Sequence, residues 1–454
     1  MLLDKMPKII IMNNVTQQML GDNISELAKS MAAKASWRNI WLAKEGDIVI
    51  SPVPLQTKFL NYVGLTLGID YRKLKIVVPK GDPKKPDSLT DDRLLEPLVI
   101  SQIKTFAGKL NNWLLCPCYF TSGVGLLGEK LGLNIKLNLF SVNSGHDLFN
   151  RKADFRRMAS GINLPVPKGE IVYSCKIFKD SIERNIKETG IVIVKQNKSA
   201  GSMGNVIITS ELTAPLPGAS YMYSMQEFLD QYEDIWSNLT DNGDNEFVVE
   251  TYYKSKLAMY SEYLIGEDGI PKYLNSGKIK LIESNKKEKD ELIWEGLEIP
   301  AQGPIHTMTV LNGESMRFAN LASQMGYRGL INIDAIITAN NRILFNEVNG
   351  RWGGGTVMHF LALDLLGSEY SNKFVISSFR NIKAKSFECL LESIKHLNLD
   401  YFPNKEEGCV IIASNEIYGD YECLFFAKST ERLTELFKSL MLEVSDGFKE
   451  KSIN

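Results

Sequence analysis

Residues 345–356 read "FNEVNGRWGGGT", an apolar strand that turns polar at alternate positions: Glu347, Asn349 and Arg351. Alternate side chains of a strand point the same way, so a carboxylate, an amide and a guanidinium are expected on one face. A second carboxylate, Asp334, interrupts the apolar run "LINIDAIIT" thirteen residues before Glu347, with the turn "TANN" between them. Two strands joined by such a turn form a hairpin, which can set Asp334 beside Glu347 and Asn349. Burying an unpaired carboxylate costs several kcal/mol, so Asp334 needs a cationic neighbour. Two carboxylates and an amide oxygen are hard oxygen ligands suited to Mg²⁺. The same residues could instead form a satisfied polar cluster paired with Arg351.

Upstream, "IVIVKQNKSAGSMGNV" places Lys195 at the end of a strand that leads into a turn of small residues. Gly201 and Gly204 allow backbone N–H groups to approach a ligand closely, and a polyphosphate is a common occupant of such a turn. Lys152 opens an earlier helix, "RKADFRRMAS", and supplies either a second positive charge for the same ligand or an ordinary surface lysine. The strand "EFVVETYY" ends in Glu250 and runs on extended. Its alternating N–H and C=O groups match the edge of an adenine, with the glutamate accepting from the amino group. Without that context it is a strand end with an exposed carboxylate.

The elements that must hold these residues alternate along the chain. Residues 7–142 read as strands ("PKIIIMNN", "GDIVIS", "KLKIVVP", "NWLLCPC", "IKLNLFSV") separated by helical patterns such as "LQTKFLNYVGLTLG" and "TSGVGLLGEKLG". That is the signature of an open α/β sheet. No GxGxxG follows the first strand, so a Rossmann dinucleotide site is unsupported. A second unit starts near Asn150, and a third carries the Asp334–Glu347 hairpin. The tail offers two strands and a final helix. "SNKKEKDE", residues 284–291, reads as a solvated loop.

Composition narrows the function. The chain has 454 residues, 44% hydrophobic and 23% charged, with a net charge of −2. This is ordinary for a globular protein of two to four units and gives no long-range attraction to nucleic acid or an anionic membrane. The N-terminal apolar run is too short for a signal core and no segment approaches a membrane span, so a cytoplasmic protein is expected. The six cysteines show no paired framework, and "LLCPC" lacks a facing Cys/His cluster; reduced, mostly buried thiols are expected.

Taken together, Lys152, Lys195 with its glycine turn, Glu250, Asp334 and Glu347-x-Asn349 resemble the ATP-grasp superfamily of carboxylate–amine ligases. The tail is similar to that of peptide ligases of the pheganomycin type. The resemblance implies an ATP-grasp fold, two α+β subdomains clasping ATP, preceded by an open α/β pre-ATP-grasp domain. The implied divisions are 1–149 (pre-ATP-grasp), 150–253 and 254–384 (the two subdomains) and 385–454 (a closing β-β-α segment). It further implies that Lys152 and Lys195 bind ATP phosphates under a loop containing Ser199, Gly201, Ser202 and Gly204. Glu250, Thr251 and Tyr253 would hold adenine, and Glu262 stands nearest the ribose-binding acid. Asp334, Glu347 and Asn349 would ligate two Mg²⁺ ions, and Arg351 would be catalytic, clamping an acyl-phosphate. The implied reaction joins a small carboxylate to an amine, on an amino acid or short peptide, with ADP and phosphate released. An ATP-grasp kinase and a non-catalytic ATP-binding regulator are the alternatives, and a homodimer is an allowed assembly.

Overall fold

In this computed structural model the described residues are 6–449 apart from 15, 21–28, 31, 32, 34, 82–87, 110, 111, 134–138, 199–203, 212–215, 220, 241–244, 284–291, 417 and 418. Seventeen strands among them form three sheets. The first is parallel, in the order β3-β2-β1-β4, built from β1 (Lys8–Ile11), β2 (Ile48–Ile50), β3 (Lys75–Val77) and β4 (Leu114–Pro117). Both faces are covered, as the near-continuous apolar runs require. Ile9, Ile11, Ile48 and Ile50 face one core, while Ile10 and Val49 face another. Of the expected fifth strand, "IKLNLFSV", Leu139–Val142 is helical, and residues 134–138 lie outside the described set.

The second sheet, ordered β5-β9-β6-β7-β8, contains β5 (Gly169–Val172), β6 (Ile191–Gln196), β7 (Val206–Thr209), β8 (Tyr221–Ser224) and β9 (Phe247–Thr251). Its helices, Cys175–Thr189 and Met225–Thr240, pack on one face through Phe178, Ile182, Phe228 and Ile235 against Val192, Val194, Phe247 and Val249. Alternation therefore turns Ile193, Lys195, Val248 and Glu250 to the other face.

The third sheet is antiparallel throughout, ordered β14-β13-β10-β11-β12-β15-β17-β16. Its strands are β10 (Ser255–Ile265), β11 (Pro271–Glu283), β12 (Leu292–Ile299), β13 (Gly329–Thr338), β14 (Ile343–Asn349), β15 (Val375–Lys383), β16 (Gly408–Asn415) and β17 (Asp420–Ala427). The tail strands thus extend the sheet that carries the hairpin. They also share a core with the N-terminal unit: Trp41, Phe59 and Leu60 pack with Ile411, Cys423 and Phe387, and the Trp41 indole donates to the Ile412 carbonyl at 3.1 Å. Strand β12 follows directly on the expected loop 284–291, which lies outside the described residues. No described helix is long and apolar enough to cross a membrane.

Candidate functional site

The hairpin forms as the sequence implies. Asp334 on β13 pairs directly with Glu347 on β14, and Asn332 pairs with Asn349. A bulge beside Asp334 inserts one extra residue between the pairs Asp334–Glu347 and Ala335–Phe345. Asn349 donates from its amide nitrogen to Asp334 Oδ2 at 3.2 Å, while its amide oxygen is buried with no hydrogen-bond partner. An orphaned buried acceptor beside two carboxylates is costly unless a donor or cation fills the space. Burial, then the adjacent Glu347 charge, push the Asp334 carboxyl up to about 8; Arg351, Asn349 and Lys152 oppose that only partly. Divalent-cation ligation would favour the ionised form. The donor set therefore fits a hard cation such as Mg²⁺. No group of three or more His, Cys, Asp or Glu side chains suited to a metal occurs among the described residues, so the amide oxygen is a necessary member of this set.

Lys152 begins the helix Lys152–Gly161, whose start is held by Asn197: its carbonyl accepts from Lys152 N at 3.2 Å and its side-chain oxygen from Ala153 N at 3.0 Å. Asn197 follows β6, so the strand that ends in Lys195 also fixes Lys152. The buried Lys152 ammonium lies 3.5 Å from Glu347 Oε1. Burial lowers its affinity for the proton, and the Glu347 charge counters this.

Lys195 and Glu250 share the face of the second sheet opposite the helices Cys175–Thr189 and Met225–Thr240, with Lys195 Nζ 2.6 Å from Glu250 Oε2. That contact is an ion pair by distance but is not aligned as a hydrogen bond. Glu250 Oε1 accepts from Arg156 at 2.8 Å, and Arg156 donates also to the Pro167 carbonyl at 3.0 Å. Arg156 was not foreseen, although it lies four residues after Lys152 on the same helix face. At the expected adenine hinge, Thr251 N–H is given to the Lys168 carbonyl at 2.8 Å and Tyr252 N–H to the Ile191 carbonyl at 2.9 Å. Thr251 N–H is thus committed to the fold, and Tyr253 is the first hinge residue whose N–H has no partner among the described residues.

Gly204 adopts φ +76°, a left-handed conformation that favours glycine, and a Cβ there would also displace the Gln196 amide. Ser199, Gly201 and Ser202 lie outside the described residues. Glu262 departs from the expected ribose role. It is fully buried in β10 and accepts from Asn275 at 2.7 Å, Asn332 at 3.4 Å and the Thr356 hydroxyl. Those bonds use its carboxylate to fix the start of the helix Gly354–Leu366, where Thr356 Oγ1 also accepts from Gly353 N at 2.9 Å. The glycines beside Arg351 are crowded by the protein itself. A Cβ on Gly353 would strike Asn332, and one on Gly355 the Tyr260 hydroxyl.

Arg351 is half-buried and donates to the Asn150 side-chain oxygen. Asn150 is held in turn by donating to the His146 carbonyl at 2.7 Å and the Gly350 carbonyl at 3.3 Å. No carboxylate of the described residues lies within ion-pair distance of Arg351. Its charge is thus oriented by a neutral amide and left available to an anion. Asn150 and His146 carried no sequence signal of their own. The "LLCPC" thiols are inert here: burial pushes Cys116 and Cys118 up to about 12.

Residues 36–133 match the model of the Pre ATP-grasp domain. Solved structures similar to the whole chain include a biotin carboxylase–βγ-ATP complex from Campylobacter jejuni (TM-score 0.57, 13% identity, covering 97% of this chain and 92% of that one). A second is the biotin carboxylase domain of a Hydrogenobacter thermophilus 2-oxoglutarate carboxylase, with magnesium ADP and bicarbonate (0.53, 12%, 93% and 86%). A third is an L-amino acid ligase from Bacillus licheniformis (0.51, 12%, 96% and 97%). No curated protein sequence matches. The chain has the ATP-grasp fold with a pre-ATP-grasp domain at its N-terminal side. At these identities the likeness speaks for the fold.

Proposed function

We propose that this protein is an ATP-dependent carboxylate–amine ligase that forms an amide through an acyl-phosphate. The observation that carries the reading is the single line of charge from one sheet to the other. Lys195 and Glu250 stand on one sheet, with Arg156 reaching Glu250 from the helix Lys152–Gly161; Lys152 bridges to Glu347; and Asp334, the orphaned Asn349 oxygen and Arg351, which has no carboxylate partner among the described residues, follow on the other. A polyphosphate needs cations on one side and divalent metal on the other, and the transferred group's acceptor needs a positive clamp beyond the metal.

In this reading Asp334, Glu347 and Asn349 hold Mg²⁺, which when bound neutralises the phosphate charge. Lys152 and Lys195 bind the phosphates, and the hinge from Glu250 to Tyr253 faces the base. Glu250 fixes Lys195 and Arg156 in place while the hinge backbone reads the adenine edge. Arg351 holds the substrate carboxylate, then the acyl-phosphate, then the oxyanion formed when the amine attacks. This chemistry requires no side-chain nucleophile.

The test is phosphate release across pairs of amino acids, short peptides and other small acids and amines, with mass spectrometry of products. ADP formation that requires both an acid and an amine, with an amide of the summed mass less water, supports the ligase. ADP formed with a single acceptor and a phosphorylated product would replace it with a kinase.

A further inference from the structure

Beside Arg351 a cavity of about 330 Å³ enters the molecule between β4, the segment 264–267, the segment 327–330 and the helix Gly354–Leu366. Its size is that of a small-molecule site. Trp113, Leu115, Leu330, Trp352 and Phe360 line it, and Arg351 and Thr356 are on the same wall. Segment 350–352 is pinned there: Gly350 N–H donates to the Phe149 carbonyl at 2.8 Å and Trp352 N–H to the Cys118 carbonyl at 3.0 Å. The space is therefore a continuation of the site, walled jointly by the pre-ATP-grasp sheet and the hairpin sheet.

The charges on its wall discriminate among occupants. Lys8 is paired with Asp47 at 3.3 Å and Lys44 with Asp364 at 2.6 Å. Arg328 donates to the carbonyls of Ser323 at 3.0 Å and Tyr327 at 2.7 Å. Glu267, also on the wall, is exposed. Neither Arg328 nor Arg351 has a carboxylate partner among the described residues, but Arg328 is held by two backbone carbonyls and the Ser323 hydroxyl, whereas Arg351 has the single Asn150 amide oxygen. A substrate carrying a phosphate or a second carboxylate would need further uncommitted cations in the cavity, because an unpaired buried anion is costly. A substrate with one carboxylate and an apolar body needs one cation at one end and apolar walls elsewhere, which is the arrangement present.

Resting on the ligase reading for the identity of the carboxylate end, we propose that the cavity receives the body of the acid substrate. That acid is a monocarboxylate with a bulky apolar group, of the size of an aromatic or branched aliphatic amino-acid side chain. Polyanionic and phosphorylated acids are excluded. Phe360 and Trp352 select for the apolar body, and Arg351 selects for the charge.

The experiment is calorimetric titration of the full-length protein, saturated with Mg²⁺ and ADP, with 3-phenylpropionate, its uncharged amide, propionate and succinate. 3-Phenylpropionate is expected to bind at least ~10-fold tighter than propionate or succinate, since burying a ring adds well over one decade of affinity. Phe360→Asp, which puts a charge on the apolar wall, should remove that advantage. Arg351→Ala should bring acid and amide to equal affinity while keeping the preference for the ring. Phe360→Ser replaces the Asp variant if circular dichroism shows the latter unfolded. Succinate or propionate binding as tightly as 3-phenylpropionate, no binding of any of them, or a folded Phe360 variant with unchanged affinity would each overturn the proposal. Tight binding of the apolar acid by a protein that never turns over ATP with any acid would defeat the ligase reading and leave the cavity assignment standing.

Discussion

Lys152 Nζ lies 3.5 Å from Glu347 Oε1, across the gap between the helix Lys152–Gly161 and strand β14. This contact joins the side that would hold phosphates to the side that would hold metal, and it decides what each partner does when the other is lost. Removing Glu347 leaves a buried ammonium facing Arg351 and Lys195, whose charges already disfavour its protonation. Removing Lys152 takes a cation from beside Glu347, which then faces the like charge of Asp334 with less to offset it.

Replacing Glu347 by Gln or Asp334 by Asn should abolish turnover, because each removes a hard anionic ligand. Mn²⁺ binding followed by electron paramagnetic resonance should weaken in parallel, which separates a ligand role from general misfolding. Near-normal activity of either variant at ordinary Mg²⁺ would refute the hairpin as a metal site.

Lys195→Ala is expected to weaken ATP binding and also to lower stability. From sequence alone a phosphate-binding lysine should contribute little to folding. The structure alters that expectation, because Lys195 is buried against Glu250. Its loss leaves that carboxylate with Arg156 as its remaining cation, at a cost of about 1–3 kcal/mol. Urea denaturation of Lys195→Ala and of Lys195→Ala/Glu250→Gln checks this: the second change should recover part of the loss. A single variant as stable as wild type would show the pair contributes nothing.

Arg351→Ala should lower kcat by ~10²-fold or more with ATP affinity nearly unchanged, since in the proposed reading its charge acts on the acyl group and not on the nucleotide. Its partner is the neutral Asn150 amide, so no carboxylate of the described residues loses an ion-pair partner. The folding penalty should stay near that of a single lost hydrogen bond, about 1 kcal/mol. Single-turnover amide formation and nucleotide titration together decide the matter. Lost ATP binding with unchanged chemistry on the bound complex would remove Arg351 from the catalytic role.

His146 and His359 make stability fall in acid. Burial lowers each from the usual 6.5 to about 4 in the folded state. A depressed histidine favours folding fully above its unfolded value, because the folded state then loses nothing by staying neutral. As pH drops from about 6.5 toward 4 the unfolded chain takes up protons that the folded chain refuses, and stability declines, by up to about 3 kcal/mol per group. His146 stacks on Phe120 at 5.3 Å and lies 3.2 Å from the Gly350 carbonyl. His146→Gln should therefore flatten the loss of urea midpoint between pH 7 and 4.5. An identical slope in the variant would mean that other groups carry the acid sensitivity.

How much of this could be read from the chain alone depended on whether a signal was local. The hairpin was legible because strand alternation and a short turn fix Asp334, Glu347, Asn349 and Arg351 relative to one another within eighteen residues. The face shared by Lys195 and Glu250 follows from the same alternation on β6 and β9. Period-two patterning also disclosed the parallel sheet, but "IKLNLFSV", expected as a strand, is helical over its described residues Leu139–Val142, because its apolar spacing is compatible with helix too. Long-range contacts were invisible. Asn150 meets Arg351 across 201 positions and Thr356 meets Glu262 across 94, and no spacing rule links such residues. Only the folded chain shows that Glu262 is spent inside the protein, that Glu250 is held by Arg156, and that the glycines after Arg351 are crowded by Asn332 and Tyr260. The chemistry of the site was thus written in strand periodicity. Its orientation, and the apolar space beside it, arise where two sheets distant in sequence are packed together.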